Sequence, residues 1–230
     1  MLRTGLKVSV LAIIVMIAIS LFAYYQLPAG ESFPIHFNAK GEPDGYGTRS
    51  DLIIIFIIFI LTSVFTFGLL AALPKLMPED SGLEKSAKAY VAIWIGVAVF
   101  MCVILAGVAF TLVEASKGVL TIDPIFRVVT AALAGLMLIM GNYFPKIQPN
   151  AGGMFGFNTA WTLKSVTSWT RTHRRMGGLY AIAGIFSLVA AFTLPALWGV
   201  AIVVTLLLGV TAYGALYSYQ VWKGAEDKID

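Results

Sequence analysis

"LIIIFIIFILTSVFTFGLLAAL", residues 52–73, carries no ionisable side chain from end to end. A helix needs about 20 predominantly apolar residues to cross the hydrocarbon layer of a bilayer, so this run is long enough to span one. Five more runs of the same kind lie outward from it, at 6–25, 89–112, 125–144, 177–194 and 197–219. The composition agrees. Of 230 residues, 59% are apolar and only 12% charged, whereas soluble domains carry about a quarter charged residues. The predicted fold is an all-α polytopic membrane protein, a six-transmembrane-helix bundle.

The first run follows Arg3 and Lys7, as a secretory signal would. Its apolar stretch from Val8 to Tyr25 is long for that role, and "YYQLPAG" offers no small-x-small cleavage site, so it reads as a retained anchor. Orientation follows from the basic residues. With the N-terminus inside, Arg3, Lys7, Lys75, Lys85, Lys88, Lys146, Lys164, Arg171, Arg174, Arg175, Lys223 and Lys228 fall on the inner side. Lys40, Arg49, Lys117 and Arg127 fall outside, which makes twelve inner and four outer of the 16 Lys and Arg. That bias places both termini on the cytoplasmic side of the membrane.

Several function classes lose support at this stage. Cys102 is the single cysteine and has no internal partner for a disulfide. His36 and His173, the two histidines, fall on opposite sides of the membrane and cannot share a catalytic or metal site. No ionisable residue sits near the middle of any span, where proton-coupled transporters bury such groups. No cofactor is implied.

Two loops carry the polar detail. In the outer one, 26–51, Ile35 and Phe37 alternate with His36 and Asn38 ahead of the turn-rich "AKGEPDGYG" (39–47), which predicts a short strand leading into a turn. His36 with Glu31, Glu42 and Asp44 has the donors for a divalent cation, but one imidazole beside a glycine-proline turn favours a polar-edged hairpin. His36, Asn38, Asp44 and Tyr46 are its candidate recognition residues. Elsewhere, Ser81 with Glu84 forms a capping-box pattern ahead of the third span, and "FTLPALWG" (192–199) predicts a tight turn at Pro195. Gly177, Ala181 and Gly184 in span five, and Ala131 with Gly135 in span four, are small residues for close helix packing.

The inner loop, 145–176, is the more informative. With Ser165 as a helix N-cap and Gly177 as the stop, Val166, Trp169, His173 and Met176 share one side, and Arg171, Arg174 and Arg175 the other. This is an amphipathic helix lying flat beneath the inner leaflet, with its apolar face toward the bundle or headgroup boundary and its arginines toward anionic lipid or a partner. Direct nucleic-acid binding is not expected of so membrane-bound a face.

"GNYFPKIQPN" (141–150), "GFNTAWTLKS" (156–165) and "WTRTHRRMGG" (169–178) together resemble the SdpI family of bacterial membrane proteins in order and spacing. The likeness falls on Gly141, Asn142, Pro145, Lys146 and Asn150, then on Gly156, Thr159, Trp161, Thr162, Leu163 and Ser165. It closes on Trp169, Thr172, His173, Arg174 and Gly177. The outer "PIHFNAKGEPDGYG" (34–47) resembles a DUF1648-type domain through Pro34, His36, Gly41, Asp44 and Gly45. The expected organisation is a DUF1648-like region over 1–80, a connecting span over 81–124 and an SdpI-like region over 125–223.

The resemblance implies a non-enzymatic immunity protein that resists a secreted, membrane-active peptide toxin and relays its presence to a cytoplasmic repressor. Two departures stand out: Asn158 and Ala160 replace the family's usual arginine and proline, and Val166 and Thr167 follow the serine where acidic residues are common. Two other readings stay open. One is a carrier or flippase for a lipid or small amphiphile, with Asn142 and Tyr143 lining its path. The other is an inner-surface enzyme with His173 as base.

Overall fold

The computed structural model describes residues 1–38, 41–77, 83–149 and 154–229. Six helices long and apolar enough to cross a membrane account for most of the chain: α1 (Leu2–Gln26), α2 (Arg49–Leu76), α3 (Ala87–Ser116), α4 (Asp123–Tyr143), α5 (Val166–Thr193) and α6 (Ala196–Lys223). They run alternately up and down, so both chain termini lie at one end of the bundle. Side chains such as Leu11, Ile54, Phe65 and Phe192 are exposed on its sides, as a hydrocarbon solvent requires when the helix satisfies its own backbone groups.

At the opposite end β1 (Phe33–Phe37) and β2 (Pro43–Gly47) form an antiparallel hairpin, with Phe33 opposite Gly47 and His36 opposite Gly45. The strand expected at Ile35 and Phe37 is therefore present, and it has a partner. Phe33 is buried and β1 lies against α3. The hairpin feeds α2 through a capping box the sequence reading overlooked: the Asp51 carboxylate accepts the Thr48 backbone N–H at 2.7 Å and the Thr48 hydroxyl at 2.8 Å. Arg49 donates to the Leu27 carbonyl at 2.5 Å and covers the Tyr24 ring at 4.4 Å, which ties the hairpin base to α1.

The capping box expected at Ser81 lies partly outside the described residues. Turns occupy 83–86, and α3 begins only at Ala87. Pro195 does stand between α5 and α6, as the N-cap of the latter.

Packing explains the small residues. A Cβ on Gly141 would sit 2.7 Å from the backbone nitrogen of Ala181, and one on Gly177 would sit 2.4 Å from Cγ of Pro145. Glycine at both positions lets α4 and α5 touch backbone to backbone. Gly184 extends the seam toward the Ala134 carbonyl. Ala131 and Gly135 do not make the expected contact: a Cβ on Gly135 would meet nothing within 4 Å, and the buried positions of α4 are Thr130, Ala134, Met137 and Gly141.

Helix α5 runs unbroken through Gly177, which corrects the reading of that residue as a stop and of 165–177 as a separate flat helix. The physical reason is tertiary: the glycine is there to admit Pro145, and nothing at 177 ends the hydrogen-bond ladder. Helices α1 and α2 pack on each other and on α3, while α4, α5 and α6 pack together, with α3 against α4. The third helix thus joins two sub-bundles.

Candidate functional site

The described residues between α4 and α5 form a cap over the end of the bundle that carries the chain termini. Its foundation is the start of α5. Ser165 Oγ accepts the Ser168 backbone N–H at 3.0 Å, the N-cap bond expected of it, and donates its own proton to Asp227 Oδ1 at 2.7 Å. The other Asp227 oxygen accepts the Thr167 N–H at 2.9 Å, and the Ile229 N–H reaches the Lys164 carbonyl at 3.0 Å. These bonds, the Thr167 amide first and the Ser165 hydroxyl second, hold the Asp227 carboxyl down at about 2 from an ordinary 3.8. A carboxylate at this position also favours the positive end of the helix dipole.

Trp169 and His173 sit one turn apart on the buried face, their rings stacked at 4.2 Å. The Trp169 indole N–H donates to the Ile147 carbonyl at 3.0 Å. His173 Nε2 lies 2.9 Å from the Phe157 backbone nitrogen, a group that only donates, and Nδ1 lies 2.9 Å from the Trp169 carbonyl, which only accepts. The partners therefore dictate the neutral ring with its proton on Nδ1. Gly156, at φ +113°, lets the loop pass over this pair, since a Cβ there would fall 2.8 Å from Nε2. With both nitrogens engaged, His173 offers no free base in this arrangement.

The hydroxyls form a second cluster. Thr162 Oγ1 donates to the Phe157 carbonyl at 3.0 Å and accepts the Thr159 N–H at 2.9 Å. Thr159 Oγ1 pairs with Ser218 Oγ of α6 at 2.9 Å, and Ser168 Oγ donates to the Ser218 carbonyl at 2.9 Å. Trp161 leans on Tyr219 with centroids 5.2 Å apart. From the start of α3, the N-cap Ser86 accepts the Gln148 N–H through Oγ at 2.9 Å and Tyr90 meets Phe155 edge to face at 5.0 Å. Sequence reading missed Asp227, Ser218, Ser86 and Tyr90. All four come from elsewhere in the chain.

The remaining candidates are more open. Asn142 is exposed and accepts from Lys146 Nζ at 2.9 Å, while Pro145 is wedged against Gly177. Asn158, Ala160 and Arg174 are exposed. Asn150 lies outside the described residues. Val166 corrects the expected buried face: Trp169, His173 and Met176 are buried, but Val166 is 60% exposed. It opens the first turn, where the Asp227 contact occupies the backbone and no element covers the side chain.

His36, Asn38, Asp44 and Tyr46 lie at the other end and join none of these. His36 Nδ1 faces Asp44 Oδ1 at 2.5 Å. Asn38 bonds Glu42 twice, through Nδ2 to Oε2 at 3.0 Å and from the Glu42 N–H to Oδ1 at 3.1 Å. The Tyr46 ring is exposed. Among the described residues no group of three or more His, Cys, Asp or Glu gathers as a metal site. At the same end a cleft of about 570 Å³ opens between α1 and α3, walled by Ile19, Phe22, Phe110 and Val113. Its rim holds Glu114 and Lys117, paired at 2.9 Å.

Residues 11–62 match DUF1648, a domain of unknown function, and residues 146–218 match the SdpI/YfhL protein family. No curated protein and no solved structure matches the chain. The second match begins at Lys146, crosses the cap and α5, and ends at Ser218, the α6 residue that receives Thr159 and Ser168. This multi-pass membrane chain thus carries a region that matches DUF1648 and a second that matches the SdpI/YfhL family, and described residues of the second build the cap.

Proposed function

We propose that the protein is a non-enzymatic immunity protein of the bacterial plasma membrane, protecting the cell against a secreted peptide that attacks membranes. The SdpI/YfhL match over 146–218 supports the class. The observation that carries the mechanism is the open, apolar cleft between α1 and α3 beside the hairpin. A membrane-active peptide arrives with an apolar face seeking cover, and such a cleft accepts one without moving the bundle. His36, Asn38, Asp44 and Tyr46 meet its polar side. The twelve-to-four distribution of basic residues supports placing the cleft outside and the cap in the cytoplasm, where the cap meets a repressor.

The cap supports the non-enzymatic reading, because its histidine and its hydroxyls Thr159, Thr162, Ser165 and Ser168 are all engaged internally. The test is expression in a toxin-sensitive bacterium lacking its own immunity gene, with survival scored against candidate peptides. Survival should rise for at least one peptide. Ala18→Phe, which fills the cleft from an exposed wall position, should abolish the gain at equal protein level. No gain for any peptide, beside a working control immunity protein, overturns the reading.

A further inference from the structure

Among the described residues, three guanidinium groups have no carboxylate partner. Arg171, Arg174 and Arg175 are exposed on α5, and neither ion pair among the described residues, His36–Asp44 or Lys117–Glu114, involves them. The sequence from Pro124 to Ala225 contains no Asp or Glu at all. Arg175 has a distant aromatic neighbour in Tyr213, at 6.0 Å. Concentrated positive charge of this kind recruits an anion from outside the protein.

The arginines also share a shaped surface. With Gly178, Ile182 and Tyr217 of α6 they line an open groove of about 370 Å³. Positions 171, 174, 178 and 182 follow one face of the helix, and the eleven steps between first and last cover about 16 Å. The basic end lies toward the start of α5. The apolar end, with Leu179 and Ile182, reaches into the stretch that spans the membrane. Basic at the headgroup level and apolar beneath it is the polarity of a lipid.

We propose that this groove holds one anionic phospholipid from the leaflet on the side of the chain termini. Its phosphate sits among the three guanidinium groups, whose planar forks suit phosphate oxygens. One acyl chain runs over Gly178 along Leu179 and Ile182, and the half-buried Tyr217 ring flanks the glycerol. A cationic headgroup such as choline is repelled by the two arginine charges that a single phosphate leaves uncompensated. The site is independent of the immunity reading, and neither falls with the other.

Gly178 gives the decisive variant. A Cβ there meets nothing within 4 Å, so a larger side chain enters the groove and leaves the fold alone. Full-length protein in detergent is titrated with phosphatidylglycerol or phosphatidylcholine, and bound lipid is counted by native mass spectrometry. One phosphatidylglycerol should be retained in preference to phosphatidylcholine. Arg171→Gln/Arg174→Gln/Arg175→Gln should weaken retention on the order of a hundredfold, whereas Lys85→Gln/Lys88→Gln/Lys223→Gln, with the same charge change elsewhere, should leave it within a few-fold. Gly178→Phe should weaken phosphatidylglycerol binding with the arginines intact. Size-exclusion and circular dichroism traces establish that each variant is folded. Equal retention of the two lipids, an equal loss in the lysine variant, or an unaffected Gly178→Phe whose lipid is displaced by inorganic phosphate would each overturn the proposal.

Discussion

The Asp227 carboxylate accepts a hydrogen bond from the Ser165 hydroxyl at 2.7 Å, across 62 positions of chain, and in doing so seals the first turn of α5. Val166 and Thr167, directly after Ser165 in sequence, bring no carboxylate to this turn. The carboxylate comes from the C-terminal tail.

Acid should loosen this junction. Because the Asp227 carboxyl is held below its ordinary 3.8, at about 2, its stabilisation is complete above roughly pH 4 and disappears as pH falls toward about 2. The protection factor of the Thr167 amide, the exchange rate of an unstructured amide at the same pH divided by its own, should fall through that window in the wild type. In Asp227→Ala it should be low already at neutral pH, with α4 amides unchanged. Persistence of the same pH dependence in Asp227→Ala assigns the effect to another group.

Close helix contact makes Gly177 intolerant. Gly177→Leu drives side-chain atoms into Pro145 and the Gly141 carbonyl, already 2.4 Å and 2.8 Å from the first added carbon. It should cost about 1–3 kcal/mol or more, measured as a lower unfolding temperature in detergent. Gly209→Ala, where an added carbon meets nothing within 4 Å, should be neutral or stabilising by up to about 1 kcal/mol. Equal losses from the two substitutions rule out the crossing as the cause.

Replacing His173 with Leu removes the acceptor for the Phe157 N–H and leaves that part-buried amide without its partner. The expected loss is about 1–3 kcal/mol. Trp169 emission should change as well, since its stacking partner at 4.2 Å is gone. In the wild type, nitrogen NMR should find the ring proton on Nδ1. Finding it on Nε2 contradicts the assignment.

Ser9→Ala tests the seam between α1 and α3. Trp94 is buried and its indole N–H donates to Ser9 Oγ at 2.9 Å. Orphaning that donor should lower stability by about 1–3 kcal/mol. Ser9→Thr, which keeps the hydroxyl, should recover part of it.

The six spans were legible because a bilayer demands long uncharged runs, and 52–73 satisfies that demand without any tertiary information. The strand at Ile35 and Phe37 was legible from alternation alone. The fate of Gly177 was not. A glycine that ends a helix and one that admits a neighbouring proline look the same in sequence, and only Pro145 decides between them. Val166 misled for a related reason, since a helical wheel assigns a face without saying where its covering element stops. The cap's outside partners were hidden by distance along the chain: Asp227 lies 62 positions from Ser165 and Ser86 lies 62 from Gln148. The arginines were visible as a charged face, but the groove appeared only once Tyr217 stood beside them.

One rod touches both the cleft and the cap. Phe110 and Val113 of α3 wall the cleft, while Ser86 at its foot and Tyr90 one turn on grip the loop that bears the family's signature. These points are separated by about 30–40 Å along the helix axis. A guest lodged at the far mouth would therefore be felt across the bilayer as a push or a twist along a single shaft, and stiffening that shaft should silence the message while leaving the guest in place.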